Sequence, residues 1–280
     1  MKKSDTRLSL ALLSALALAG PAYAQDADRW TGLYVGGHAG AVMDQGESNE
    51  GLLFDTDLNG QFGDTVRTTT GANAFSPGFC GQAATGRTPQ EGCGGDDAKG
   101  DFGVRVGYDM QMGTAVLGAV LEYSRVDLTD AVTGFSTTPA SYTMTRELDD
   151  LAALRVRGGF AFGADSGNLV YATAGAARGK VSNTFATTNG ANSFTGNGDD
   201  TANGWQAGLG YERMIGENFS VGAEYLHTKL HDDGYRVLVT RGTAPTTNPF
   251  VVRNSNGTDM RRSNDNLEFG SLRITASYRF

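Results

Sequence analysis

The last ten residues, Ser271–Phe280, read SLRITASYRF and alternate between polar and apolar side chains up to the end of the chain. Successive side chains of a β-strand point to opposite faces, so the pattern predicts a strand with one apolar face. The polar face carries Arg273 and Arg279. The apolar positions are Leu272, Ile274, Ala276, Tyr278 and Phe280. Because chain ends are usually polar and frayed, the medium that covers this apolar face decides the fold.

The N-terminal residues 1–24 are predicted to be a signal peptide. A basic start precedes an apolar stretch, Leu8–Ala19, and small residues occupy positions 22 and 24, where a signal peptidase reads them. The apolar stretch is shorter than the roughly 20 residues that span a bilayer, which argues against a membrane anchor. We expect cleavage before Gln25 and one exported domain, residues 25–280.

The composition excludes several classes of protein. The formal net charge is −8, which argues against nucleic acid as a partner because nucleic-acid-binding proteins need a basic face. The 40 glycines and the hydrophobic fraction of 39% do not fit a helical bundle or a large buried core. They do fit strands that need only one apolar face.

Eight segments with a period of two follow the leader. They are Leu33–Met43, Phe102–Met110, Ala115–Val126, Ala152–Phe162, Leu169–Val181, Gly204–Met214, Phe219–Thr228 and Leu267–Phe280. Short turns alternate with long connections between these segments. The long connections are Asp44–Asp101, Asp127–Leu151, Ser182–Asn203 and Lys229–Asn266. An even strand number with all long loops at one end is typical of outer-membrane barrels. The sequence therefore predicts an all-β fold, an eight-stranded antiparallel transmembrane β-barrel with long extracellular loops.

Charged residues repeatedly share the glycine-rich face of the predicted strands. We expect seven of them to form a network in the barrel lumen: Arg105, Glu122, Arg155, Arg157, Glu212, Glu224 and Arg273. Small residues on an inward face leave room for long charged side chains, and buried charges require partners. Structural pairing is the main interpretation, while a selectivity filter and a catalytic role remain open. An eight-stranded barrel is only wide enough for its own side chains, which favours a plugged lumen.

The strand sequences resemble a known family. The segments WTGLYVGGHAGAVM, LRVRGGFAF, GWQAGLGYERMIGENFSVGAEYLH and SLRITASYRF are similar to the small eight-stranded outer-membrane barrels of Gram-negative bacteria, the OmpA-like and opacity-type porin superfamily. The resemblance covers all eight strands and implies a protein in contact with outer-membrane lipid. It also implies that Tyr278 and Phe280 belong to the signal read by the outer-membrane assembly machinery.

Cys80 and Cys93 are the two cysteines of the chain, and both lie in the first long loop. An exported protein meets an oxidising compartment, where paired cysteines form disulfides. We therefore predict a bridge between them. A metal site is the less favoured alternative because no histidine lies nearby.

The same loop contains DTDLNGQFGD, in which Asp55, Asp57 and Asn59 repeat the first half of a calcium-binding loop. The twelfth position is Val66, so the usual bidentate glutamate is missing, and Asp64 is the candidate substitute. The sequence thus leaves two interpretations open, a calcium ion in the first outer loop or a turn rich in Asp and Asn without an ion.

The histidines supply the only candidates for catalysis. His227 and His231 would share one strand face, where they could hold a metal or act as a base. No serine or third histidine accompanies them in the sequence, so we expect no enzyme.

The fourth outer loop contains two further apolar runs, Tyr235–Arg241 and Phe250–Arg253. They predict a hairpin in water, and ninth and tenth membrane strands are the alternative that Pro249 argues against. We therefore expect a non-enzymatic barrel that supports the envelope and presents its loops to an extracellular ligand or host surface. A narrow porin-like diffusion channel is the alternative.

Overall fold

The computed structural model of the protein describes residues 28–44, 50–94, 97–198 and 201–280. The predicted signal peptide, residues 1–24, lies outside them. In the described residues, no helix is long and apolar enough to cross a membrane.

The described residues form strands and one short 3-10 helix, Pro89–Glu91. The strands are β1 (Gly32–Asp44), β2 (Leu52–Asp55), β3 (Gly78–Cys80), β4 (Ala83–Ala84), β5 (Cys93–Gly94), β6 (Asp97–Met112), β7 (Ala115–Ser136), β8 (Ala140–Phe162), β9 (Asn168–Thr187), β10 (Ser193–Asn197), β11 (Thr201–Ile215), β12 (Phe219–His231), β13 (Arg236–Thr240), β14 (Thr258–Arg262) and β15 (Asn266–Arg279).

Eight long strands close into an antiparallel ring in the order β1, β6, β7, β8, β9, β11, β12, β15. β1 closes the ring because it pairs with β6 on one side and with β15 on the other, so that Val35 lies opposite both Val106 and Tyr278. A closed ring has no unpaired edge, which is what a backbone inside a bilayer requires. The eight predicted strands coincide with these eight, and the predicted fold class is confirmed.

The outward face of the ring is apolar and exposed. Ile274 retains 72% of its accessible surface, and Val156 and Leu209 retain 67% and 66%. A continuous exposed apolar belt would be unfavourable in water, whereas lipid covers such a belt in an outer-membrane barrel. Lipid is therefore the medium that covers the apolar face of the C-terminal strand.

Three barrel strands continue far beyond the membrane. β7, β8 and β9 contain 22, 23 and 20 residues, whereas about 9–11 residues suffice to cross a bilayer. The segment 127–151, predicted as a loop, is therefore strand in the structure, and the β7–β8 hairpin turns only at residues 137–139. The small strand β3 adds to the outer end of β7.

The outer loops form a second sheet with the order β10, β13, β14, β2. Its strands come from the third, fourth and first outer loops, so these loops are tied to one another by backbone hydrogen bonds. An apolar core lies between this sheet and the β7–β8 extension: Leu52, Phe54, Val66, Ala74, Phe75, Val132, Ala140, Tyr142, Met144, Val237, Val239, Phe250 and Met260. We call the loop sheet, this core and the strand extensions the extracellular module.

The prediction of a hairpin in the fourth outer loop is right about a strand in its first run and wrong about its second run. Its first run contains β13, but β13 pairs with β14 and not with Phe250–Arg253. Those residues form a turn, in which the carbonyl of Asn248 accepts the N–H groups of Val251 and Val252 at 3.0 Å each. Phe250 and Val251 are buried in the module, which explains why they are apolar. A short apolar run in a buried turn cannot be told from a short buried strand by its sequence alone.

Candidate functional site

The periplasmic half of the lumen holds an interlocked set of ion pairs. Glu212 accepts Arg105 at 2.7 Å and Arg157 at 2.8 Å. Asp109 accepts the Nε of Arg157 at 2.7 Å and Arg279 at 2.7 Å. All five side chains are almost fully buried. β6 and β11 lie opposite each other in the ring, so the Arg105–Glu212 pair crosses the lumen.

A second set of ion pairs lies above the first. Arg155 donates to Glu122 at 3.1 Å and lies 3.5 Å from Glu224. Arg273 donates to Asp101 at 2.6 Å and also contacts Glu122. The carboxylate of Glu122 is thus shared by two arginines, which satisfies charges that would be very costly alone in a medium of low dielectric constant.

The lumen network contains as many positive as negative groups. Its members are Arg105, Arg155, Arg157, Arg273, Arg279, Asp101, Asp109, Glu122, Glu212 and Glu224. Five arginines thus face five carboxylates. The structure brings together all seven residues that the sequence singled out. The three added members, Asp101, Asp109 and Arg279, share the inward parity of their strands, so the same period-two signal could have identified them.

Apolar layers lie on both sides of the network. The periplasmic layer contains Trp30, Val116, Ala161, Leu169, Tyr171 and Met214. The outer layer contains Val42, Val126, Leu128, Leu148, Leu151, Ala153, Ala177, Val181, Ala202, Leu230, Leu267 and Phe269. Trp30 is fully buried, its indole N–H donates to the carbonyl of Ser166 at 2.8 Å, and the Arg279 guanidinium lies 4.7 Å from its ring. The period-two pattern of the strands could not reveal the burial of Trp30, because Trp30 precedes the first strand.

A serine, a histidine and an aspartate meet in the lumen. The same nitrogen of His38, Nε2, lies 3.0 Å from Asp101 and 3.4 Å from the hydroxyl of Ser124. The other ring nitrogen of His38, Nδ1, lies 3.6 Å from the carboxylate of Glu122, which is too far for a hydrogen bond. All three residues are buried beneath the outer apolar layer, so His38 belongs to the buried polar interior of the barrel.

His227 and His231 do not form a shared site. His227 packs against Trp205 with ring centroids 5.4 Å apart and lies 3.8 Å from Glu268. His231 lies 3.4 Å from Asp233. Each histidine therefore has its own carboxylate at the outer rim of the barrel wall.

The first outer loop contains the disulfide between Cys80 and Cys93. The bridge joins the end of β3 to β5. Because β3 pairs with β7, the bridge fastens this part of the loop to the extended wall of the barrel.

The predicted calcium ligands lie close together but have other partners. Ligand oxygens of Asp55, Asp57 and Asp64 lie within 4.8 Å of one another. The carboxylate of Asp55 accepts the backbone N–H groups of Asn59 and Gly60 at 3.1 and 2.7 Å. The side-chain oxygen of Asn59 accepts the N–H of residue 61 at 2.8 Å.

Asp57 and Asp64 are also engaged. Asp57 pairs with Arg253 at 2.7 Å, and hydrogen bonds from Thr56 hold the pKa of Asp64 below its usual value. These contacts describe a turn stabilised by its own side chains, so calcium in this loop stays a prediction.

A buried ion cluster joins the loop sheet to the extensions of β7 and β8. Arg262 on β14 donates to Glu50 at 2.7 Å and to Asp130 at 2.9 Å. Arg146 on β8 donates to Asp130 at 2.6 Å. Burial would raise the pKa of Asp130, but the Arg146 and Arg262 guanidiniums hold it below its usual value. Burial raises the pKa of Glu50, and its hydrogen bond to Arg262 offsets that only in part.

A closed ring of strands with an apolar outer belt and a polar interior defines an outer-membrane barrel protein. A family model of the outer membrane protein beta-barrel domain matches residues 10–280, and the chain belongs to this family. Its place is the outer membrane. The chain is 28% identical over 218 residues to the 31 kDa outer-membrane immunogenic protein of Brucella melitensis biotype 1. The matched region covers 76% of this chain and 75% of the Brucella protein. The protein of the same name from Brucella suis biovar 1 matches to the same extent.

Three solved structures are similar in fold. The match with the crystal structure of OprG from Pseudomonas aeruginosa covers 89% of this chain and 96% of the OprG chain, with a TM-score of 0.47 and 12% identity. Ail of Yersinia pestis, solved in complex with the heparin analogue sucrose octasulfate, covers 89% and 97% with a TM-score of 0.34 and 10% identity. Neisserial surface protein A covers 89% and 98% with a TM-score of 0.33 and 9% identity.

Proposed function

We propose that the protein is a closed, non-enzymatic barrel that supports the outer membrane and holds the extracellular module out from the cell for contact with a ligand or a host surface. The observation that carries this proposal is the filled lumen, in which a charge-balanced network lies between two apolar layers. An ion that entered would have to leave water and displace existing ion pairs, which is a desolvation barrier.

The extracellular module supports the second half of the proposal. Three outer loops share one sheet and one apolar core, and a disulfide and a buried ion cluster fasten them to the barrel wall. A preorganised surface loses little conformational entropy when it binds a partner. Presentation of a binding surface is therefore the use that this construction supports best.

Conductance of the refolded protein in a planar bilayer tests the closed lumen. We expect no steady single-channel conductance from the wild type. A steady conductance of the size of a water-filled pore would overturn the proposal and favour a channel.

A narrow diffusion channel is the second candidate, and one observation favours it. Within the described residues, several buried polar atoms of the lumen have no hydrogen-bond partner: Tyr34 Oη, Glu212 Oε2, Ser220 Oγ and Thr275 Oγ1. Buried water usually satisfies such atoms. A connected row of these waters would give small polar solutes a path, and the bilayer recording separates this candidate from the first.

We also propose that the C-terminal aromatics are read by the outer-membrane assembly machinery. Tyr278 and Phe280 lie on the lipid-facing side of the ring, 48% and 54% exposed, with ring centroids 5.2 Å apart. Deletion of Phe280 should reduce the amount of folded protein in the outer membrane while the purified variant still refolds in detergent. Unchanged membrane levels would contradict this role.

A further inference from the structure

A groove of about 580 Å³ opens on the lipid-facing wall of the barrel between β8 and β15. Small residues form its floor, among them Gly158 on β8, Ala172 on β9 and Ala223 on β12. Phe160 and Leu209 stand on either side of Ala172 as walls. A methylene chain that lies in this groove reaches the sheet surface between large side chains, and the contact area per atom is larger than on a flat wall.

Two basic residues lie further along the same face of β9. The strand leads outward from the periplasmic turn at 163–167, so Ala172 is followed on the outward face by Ala174 and Ala176 and then by Arg178 and Lys180. The distance along the strand from Ala172 to Arg178 is roughly 20 Å at the usual rise per residue. This length suits the acyl chain of a lipid whose headgroup lies at Arg178.

The charges of Arg178 and Lys180 are not compensated within the described part of the chain, where neither side chain makes an ion pair. Two nearby charged residues of the outer rim contact other partners. Asp150 lies opposite Lys180 in the β8–β9 register, but its carboxylate lies 3.3 Å from Arg125. On β12, the ammonium group of Lys229 lies 2.5 Å from Glu268.

We propose that this wall binds a phosphorylated glycolipid of the outer leaflet, with a phosphate between Arg178 and Lys180 and one acyl chain that follows Ala176 and Ala174 along β9 into the groove at Ala172. Basic residues at the membrane surface attract anionic headgroups, and charge-assisted hydrogen bonds to phosphate are strong. The position of the basic pair favours the outer leaflet, because both residues lie far outward from the periplasmic start of β9 at Asn168. Arg213, on the same wall, lies at the periplasmic end of β11.

This inference goes beyond the proposed function and does not depend on it, because a conducting and a closed barrel present the same outer wall. The residues that its experiments change on this wall, Arg178, Lys180 and Ala174, belong neither to the lumen network nor to the loop sheet. A failure of the lipid experiment would therefore leave the closed-lumen proposal standing, and the reverse also holds.

Native mass spectrometry of the refolded protein in detergent tests the site with bisphosphorylated lipid A as the probe. We expect bound lipid on the wild type and a loss of affinity of roughly tenfold or more in the double variant Arg178→Gln/Lys180→Gln. The control Arg213→Gln removes one charge from the periplasmic end of the same wall and should bind like the wild type. Heat-modifiable electrophoretic mobility shows whether each variant has folded.

The groove is tested separately from the charges. Ala174→Phe fills the path of the acyl chain while both basic residues stay in place, and it should also weaken binding. The control Ala39→Phe adds the same ring to the lipid-facing side of β1 and should not. Equal lipid retention by the double basic variant, or by Ala174→Phe, would overturn the proposal.

Two further probes identify the lipid. The protein should not retain dephosphorylated lipid A in the mass spectrometer. Millimolar inorganic phosphate should fail to displace bisphosphorylated lipid A, because phosphate alone lacks the acyl chain. Equal retention of phosphatidylglycerol would overturn the assignment to the glycolipid of the outer leaflet. Displacement by inorganic phosphate would show a simple anion site and would also overturn it.

Discussion

Arg105 and Glu212 are 107 positions apart in the sequence, yet their side chains meet at 2.7 Å in the middle of the lumen. Each side chain is about 1% exposed, and the strands that carry them lie opposite each other in the ring. Because the pair spans the lumen, the interior of the barrel is held together across its width as well as around its circumference.

Glu122→Ala should lower the free energy of unfolding by about 3 kcal/mol, because the change leaves Arg155 and Arg273 each short of a buried partner. Urea unfolding in lipid vesicles, followed by tryptophan fluorescence, measures the loss. The control is Glu147→Ala, which removes an exposed carboxylate from β8 and should change stability by no more than about 0.5 kcal/mol. Equal stability of the two variants would contradict a structural role for the network.

The membrane part of this fold could be predicted from the sequence, whereas most strands of the extracellular part could not. Alternate residues of a barrel strand face the lipid and the lumen, so the two faces differ in polarity in the sequence itself. In the C-terminal strand, Leu272 faces the lipid and Arg273 faces the lumen. The strands of the extracellular module are buried against partners from other loops. For example, β14 pairs with β13 and β2, and its sequence TDMRR has no apolar alternation to reveal it. Trp30 was missed for a similar reason, since its burial depends on the chain folding back beneath the barrel.

Loss of the disulfide should open the first outer loop and leave the barrel intact. The bridge closes a loop for which the chain-entropy model gives about 3 kcal/mol. Arg87 lies between Cys80 and Cys93 and is exposed. Because the bridge restrains the backbone around it, trypsin should cut there faster in Cys80→Ser/Cys93→Ser than in the wild type. The heat-modifiable mobility of the barrel serves as the control and should not change. Equal cleavage rates would show that the bridge does not order this loop.

The two carboxylates that face Arg262 should differ in their effect on stability at pH 7. The fold lowers the pKa of Asp130, so the ionised form stabilises the folded state, and this contribution is lost as the pH falls below about 4. The fold raises the pKa of Glu50, so ionisation of Glu50 lowers the stability of the folded state at neutral pH. Protonation of Glu50 in acid removes this destabilisation. Asp130→Asn should therefore destabilise the module at pH 7 clearly more than Glu50→Gln does.

Hydrogen exchange of residues 236–262 measures this difference, since β13 and β14 report on the module directly. Exchange in β1 and β15 is the internal control, because both strands belong to the barrel ring. Faster exchange in Glu50→Gln than in Asp130→Asn would show that the signs have been assigned wrongly.

Calcium binding by the first outer loop is tested by titration calorimetry at millimolar calcium. If Asp55, Asp57, Asn59 and Asp64 hold an ion, Arg253→Gln should tighten binding, because Arg253 now neutralises Asp57 at 2.7 Å. Asp55→Asn should weaken binding, because it removes the charge of the most buried carboxylate of the group. The absence of a binding heat in both the wild type and Arg253→Gln would leave the loop as a turn without an ion.

Removal of Trp30 should weaken the barrel without opening it. Trp30→Ala deletes the largest side chain of the periplasmic apolar layer, and truncation of a fully buried tryptophan costs about 3–5 kcal/mol. The ion network and the outer apolar layer still fill the lumen above it, so planar-bilayer recordings should show no steady conductance. The control is Trp205→Ala, since Trp205 lies on the lipid-facing wall and is 45% exposed; its unfolding free energy should fall by less. Steady conductance from Trp30→Ala with little loss of stability would show that Trp30 is the gate of a channel whose remaining lumen is already open to ions.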